Sequence, residues 1–320
     1  MAGAALSDGG SVPQVHIKKF EVPGQLSDTR FCLFGKIEIH THSNLLKMHS
    51  AFFRKFKDSP DKIPAKAGAA FAYERVDEAD DDGSGWHVVA DSNKLSEGIS
   101  EPATGIFVSM LNCTYRIPFE IYSKQLVELT ALADYYRCLP AASNNLYAFF
   151  YMSPNFDSYK ARDLIESAFK LRQPLLFRDC VIFIAGTMHR MSPLLYQDKN
   201  LNTQQALQQV LMAVRNKIFE NHLEAQEAMY TKAGSSHELF KTMKGISVKV
   251  LEQDFFRQPY FYRKLLDREE EFFEDLNDVL SGNLQLDSSA MAGVGYYDYH
   301  FFCADLSDED LPWDTTETDW

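Results

Sequence analysis

Apolar and polar residues alternate along residues 15–40, through VHIKKFEV and then RFCLFGKIEIH, so that Phe31, Leu33, Ile37 and Ile39 mark strand faces on either side of Gly35. A period of two predicts half-buried strands. The period changes at Ser43. From there to Phe56 the apolar residues Leu45, Leu46, Met48, Phe52, Phe53 and Phe56 recur at helical spacing. This predicts an amphipathic helix with Ser43 or Asn44 capping its start. Residues 58–100 read as an insertion, with AFAYERV and WHVVA as two strands and DEADDDGSG between them as a hairpin loop.

Beyond Glu101 the pattern is helical: ATGIFVSMLNCTY, KQLVELTALADYYRCL, then AASNNLYAFFYM, with Pro154 as punctuation. Helices are expected around 158–171 and 175–188, joined at Pro174, then a long one at 203–231 and more segments including REEEFFEDLNDVL at 268–280. Residues 281–304 are Gly-rich and aromatic, and the chain from Asp305 onward is acidic with no Lys or Arg. No internal repeat is visible. The expected fold class is α+β. Residues 1–14 are expected to be disordered, 15–152 to form a small sheet with a helical cluster, 153–304 to be mainly helical, and 305–320 to be a disordered acidic tail.

Composition narrows the function. The 320 residues are 45% hydrophobic and carry a net charge of −13, so a packed core is expected, with neither nucleic acid nor anionic membrane as a direct partner. The N-terminus has no basic region followed by an apolar one, and no apolar run approaches the ~20 residues of a membrane helix. The cysteines at 32, 113, 138, 180 and 303 are scattered without a CxxC pair. A reducing compartment, cytoplasmic and/or nuclear, is expected.

Three chemical readings fail on spacing. His40, His42 and His49 lie close in sequence, but a strand must give way to a helix near Thr41, and no Cys or second His pair completes a zinc set. An EF-hand register with Glu78, Asp80, Asp82 and Gly83 puts Val89 where a bidentate Glu is required. GxSxG, GxxxxGK[ST] and HExxH are absent, and GVG at 293–295 lacks a third glycine. No metal, cofactor or catalytic residue is assigned.

The opening block, with Asp28 ahead of RFCLFGKIEI and then His42, Leu45, Leu46, Ser50, Phe52 and Phe53, resembles the BTB/POZ pattern H-x-x-[VL]-L-x-x-x-S-x-[FY]-F. GIFVSMLNCTYRIPF, with Tyr115, is similar to that family's following helix. LVELTALADYYRCLP, with Leu132, Ala133, Asp134, Tyr136 and Leu139, is similar to the one after it. The three blocks occur in the family's order over about residues 20–150, and the hairpin insertion resembles the divergent members common in filamentous fungi. The resemblance implies a non-enzymatic interaction module that forms homo- or hetero-oligomers, a homodimer among them. It also implies recruitment of a cullin-type ubiquitin ligase scaffold, for which Val76-Asp77-Glu78 matches an apolar-x-Glu element. The alternative is a transcriptional co-regulator acting through the tail, where Leu306, Leu311, Trp313 and Trp320 are set among acids. An unrecognised enzyme is the third.

Overall fold

The computed structural model describes residues 15–57, 68–79, 86–89, 101–152, 160–187, 201–235, 258–266, 276–281, 284–286, 291–292, 301–317 and 320. Residues 1–14 and residues 80–85 of the expected loop lie outside them, and the first three residues of that loop, 77–79, end a strand. The chain is mixed α+β, with one five-stranded sheet and a mostly helical remainder. It divides into two compact units: 1–117 with 132–141, and 118–131 with 142–320. No helix among the described residues is long and apolar enough to cross a membrane.

In the first unit the strands are β1 (His16–Lys19), β2 (Thr29–Leu33), β3 (Ile37–Thr41), β4 (Tyr73–Ala79) and β5 (Trp86–Val89), in the spatial order β1-β3-β2-β4-β5. β2 and β3 form the hairpin that the alternation predicts, with Phe31 opposite Ile39 and both buried. Its turn places Phe34 and Gly35 at φ 52° and 62°, with the Lys36 amide donating to the Leu33 carbonyl at 3.1 Å. Two left-handed central residues make a type I′ turn, which matches the twist of the flanking strands. Within the segment read as an insertion, Tyr73–Ala79 and Trp86–Val89 join the sheet. β4 pairs in parallel with β2 and antiparallel with β5. Val88 of β5 is buried, and so are the charged Arg75 and Asp77 of β4.

The helix expected over 43–56 is two helices, α1 (Ser43–His49) and α2 (Ala51–Lys57). Ser50 is extended (φ −139°, ψ 115°) and breaks them. Its hydroxyl supplies what the break costs, donating to the Tyr136 carbonyl at 2.5 Å and accepting from the Phe53 amide at 3.1 Å. α3 (Glu101–Tyr115), α4 (Ser123–Tyr135) and α5 (Leu139–Met152) follow. Phe31, Phe53, Phe107 and Tyr136 close a ring cluster with centroids 5.2–5.9 Å apart, Tyr136 stacked on Phe53 at 5.3 Å.

The second unit contains α6 (Ala161–Lys170), α7 (Pro174–Gly186), α8 (Leu201–Ser235), α9 (Gln258–Leu266) and α10 (Asn277–Leu280). α7 reads PLLFRDCVIFIAG, apolar on nearly every side, and every residue from Asp179 to Gly186 is buried. An all-round apolar helix belongs in a core. α8 buries one stripe, Leu207, Leu211, Val214, Ile218, His222, Ala225 and Met229. Residues 301–304 are buried too: the Phe302 amide donates to the Gly186 carbonyl at 3.3 Å and the Cys303 amide to the Val279 carbonyl at 2.9 Å.

Candidate functional site

The residues singled out in the first unit converge on a polar framework that joins three distant stretches of chain. Asp28 sits at the start of β2. Its carboxylate accepts the Ser43 amide at 2.6 Å and the Ser43 hydroxyl, which satisfies an open N–H at the start of α1. Its backbone binds the ends of two strands, donating to the Thr41 carbonyl at 3.2 Å and accepting the Tyr73 amide at 3.0 Å. Asp28, fifteen residues upstream, therefore supplies one part of the cap of α1, and Asn44 supplies another, its Oδ1 accepting the Leu45 amide at 2.9 Å.

His42 is 2% exposed. Its amide donates to the Tyr115 hydroxyl at 2.7 Å, and its Nδ1 lies 2.9 Å from the same oxygen. That oxygen accepts the amide and pairs with the imidazole, whose Nε2 is buried. Burial raises the Tyr115 phenol to about 12, the His42 amide pulling it back and the Asp28 charge pushing it further up. The other two histidines have separate surroundings. His40 Nε2 meets Glu38 at 2.5 Å and its ring lies 4.7 Å from Phe71. His49 is shifted downward by burial and then by the Arg116 charge. Among the described residues no three His, Cys, Asp or Glu side chains gather as a metal set.

Leu46 and Phe53 are buried to 1%, whereas Leu45 and Phe52 are half-buried. Phe52 meets Tyr136 edge-on at 5.1 Å. Ala133 is fully buried and Asp134 forms an exposed ion pair with Arg137 at 3.6 Å. Tyr136 is fully buried, and its hydroxyl accepts the Val88 amide at 3.0 Å, so the end of α4 is tied to β5. Val76 and Glu78 lie within β4, opposite Val89 and His87, rather than in an acidic loop. An open hollow of about 750 Å³, lined by Lys19, Val22, Leu26, His40, His42 and Phe71 among others, lies at the β1–β2 connection.

The tail differs most from expectation. Instead of extending into solvent it packs on α6 and α7. Ser307 and Asp310 form a capping box around a short 3-10 turn, and Leu311 is 9% exposed. The Trp313 ring meets Phe177 at 4.9 Å and Phe169 at 6.1 Å. Arg172 binds Glu317 at 2.6 Å and lies 5.0 Å from the Trp320 ring, whose Nε1 donates to the Lys170 carbonyl at 3.3 Å. Arg178 pairs with Asp308. Two of the tail acids, Asp308 and Glu317, are thus answered by Arg178 and Arg172.

Sequence reasoning missed those arginines. Arg116, Arg137 and Arg172 have φ of 54°, 51° and 47°, each one or two residues beyond a helix end. The following amides reach back to Asn112, Ala133 and Ala168 carbonyls at 2.9, 2.8 and 3.1 Å, the Schellman pattern with arginine where glycine is usual. No glycine signalled these stops; the available signal was a break in apolar periodicity at each arginine. Compared with family models, curated proteins and solved structures, the chain matches none.

Proposed function

We propose that the first unit is a BTB/POZ-like domain and that the chain is a non-enzymatic protein-interaction module. The observation that carries this is the convergence of the three resembling blocks through side-chain bonds: Asp28 on Ser43, Tyr115 on His42, Ser50 on Tyr136. Unrelated amphipathic segments have no reason to exchange bonds at those positions. Each of these polar groups is consumed in holding backbone, so the framework builds a surface rather than a reaction centre. Apolar residues on that unit remain open, Leu26 at 93% and Met48 at 64% exposed, and such residues suit contact with another protein.

The proposed partners are a second copy of the chain, a different BTB-like chain, or a cullin-type ubiquitin ligase scaffold. The scaffold rests on the resemblance and not on Val76 and Glu78, whose strand pairing gives them a structural task. The docked position of Trp313 and Trp320 counts against the co-regulator reading, which requires them free. Affinity purification of the tagged chain beside a Phe53→Asp variant tests the proposal. A cullin or untagged chain recovered with the parent and lost with the variant supports it. Chromatin factors recovered with both favour the co-regulator, and turnover of a substrate by the purified chain overturns the module.

A further inference from the structure

We propose that the α6–α7 face covered by residues 307–317 and Trp320 is a docking surface for an acidic, tryptophan-bearing peptide of a partner protein, and that the chain's own tail is its displaceable occupant. This does not depend on how the first unit is read. The face recognises its occupant at four points: Arg178 takes Asp308, the Phe169–Phe177 notch takes Trp313, Arg172 takes Glu317, and the Lys170 carbonyl takes the Trp320 indole. The chemistry is therefore acid, aromatic, acid, indole, complementary to two arginines around an apolar notch.

The tail fills this surface incompletely. Asp308 and Glu317 side chains are 74% and 44% exposed, so water and salt screen both ion pairs. Of Leu306, Leu311, Trp313 and Trp320 only Leu311 is buried. Seven acids between Asp305 and Trp320, with no basic residue among them, repel one another. Arg178 also keeps a donor unused. Its side chain is 17% exposed, Asp308 takes only Nη2, and Nε is buried without a partner. A carboxylate presented along the Nε–Nη2 edge would engage both donors at once. A partner peptide can thus fit better than the tail, while the tail competes through its high effective concentration.

A fluorescent synthetic peptide spanning 305–320 serves as the probe, titrated by anisotropy into the full chain. The unaltered chain should bind it weakly. The full chain carrying Trp313→Ser and Glu317→Lys, whose tail is loosened, should bind at least tenfold more tightly, and adding Arg178→Glu should remove that gain. Should the double variant fail to fold, Glu317→Lys alone, at an exposed position, should still tighten binding several-fold. Equal binding by unaltered and loosened chains, or binding indifferent to Arg178→Glu, overturns the proposal.

Discussion

The Tyr115 hydroxyl meets two groups of His42, accepting its amide and pairing with Nδ1. Tyr115→Phe leaves both buried groups unanswered, so a loss of about 1–3 kcal/mol is expected in denaturant unfolding. A variant as stable as the parent would mean that water reaches His42 and the framework is not closed. Arg137 argues the other way. It holds φ 51° with a side chain 70% exposed and only a surface ion pair to Asp134. Arg137→Gly should therefore stabilise the chain by up to about 1 kcal/mol, because glycine enters the left-handed region without strain. The buried positions of Leu46 and Phe53 were legible in the sequence because spacing announces which side chains share a face. The left-handed arginines were not, since the sign of φ is written in no residue type.

Among elements, the break between α1 and α2 shows what periodicity hides. Leu45, Leu46, Phe52 and Phe53 fit one helix as well as two, and bonds to the Tyr136 and Arg137 carbonyls, 86 residues away, support the break at the extended Ser50. The β4–β5 hairpin was legible as strands but not as sheet members, because pairing partners are remote in sequence. α7 shows packing at its tightest. A Cβ on Gly186 would stand 2.1 Å from the Phe302 carbonyl oxygen and 2.9 Å from its nitrogen. Backbone cannot yield as a side-chain tip does, so Gly186→Ala should cost at or above the upper end of the about 1–3 kcal/mol of ordinary overpacking. A thermal melt near the parent's would show that residues 301–304 pack elsewhere.

α8 carries a pH dependence. Burial against Tyr262 at 5.5 Å and Phe302 at 5.0 Å lowers His222 from the usual 6.5 to about 4. The unfolded chain therefore binds more protons between those values. Stability of the second unit should be full above about pH 6.5, fall as pH drops toward 4, and lose about 3 kcal/mol in all. His222→Gln should flatten that slope in unfolding titrations across the same window. An unchanged slope would assign the effect to other groups.

At the scale of the whole chain, composition announced an acidic protein with enough apolar residues for a core, and the α+β class followed from where the period changes from two to 3.6. The tail was misread because its seven acids and missing basic residues describe only the tail. Arg172, Arg178 and the Phe169–Phe177 notch, over a hundred residues earlier, supply the opposite charge and the apolar seat. The central claim remains the first unit's role as a protein-interaction module, and it is tested most directly by sedimentation velocity of the purified chain. The chain is run across a wide concentration range, alone and with a purified cullin N-terminal region. The account predicts a faster, reversible species in at least one series, lost when Phe53→Asp removes the ring cluster. A single monomeric boundary at every concentration, with and without the cullin, would contradict it.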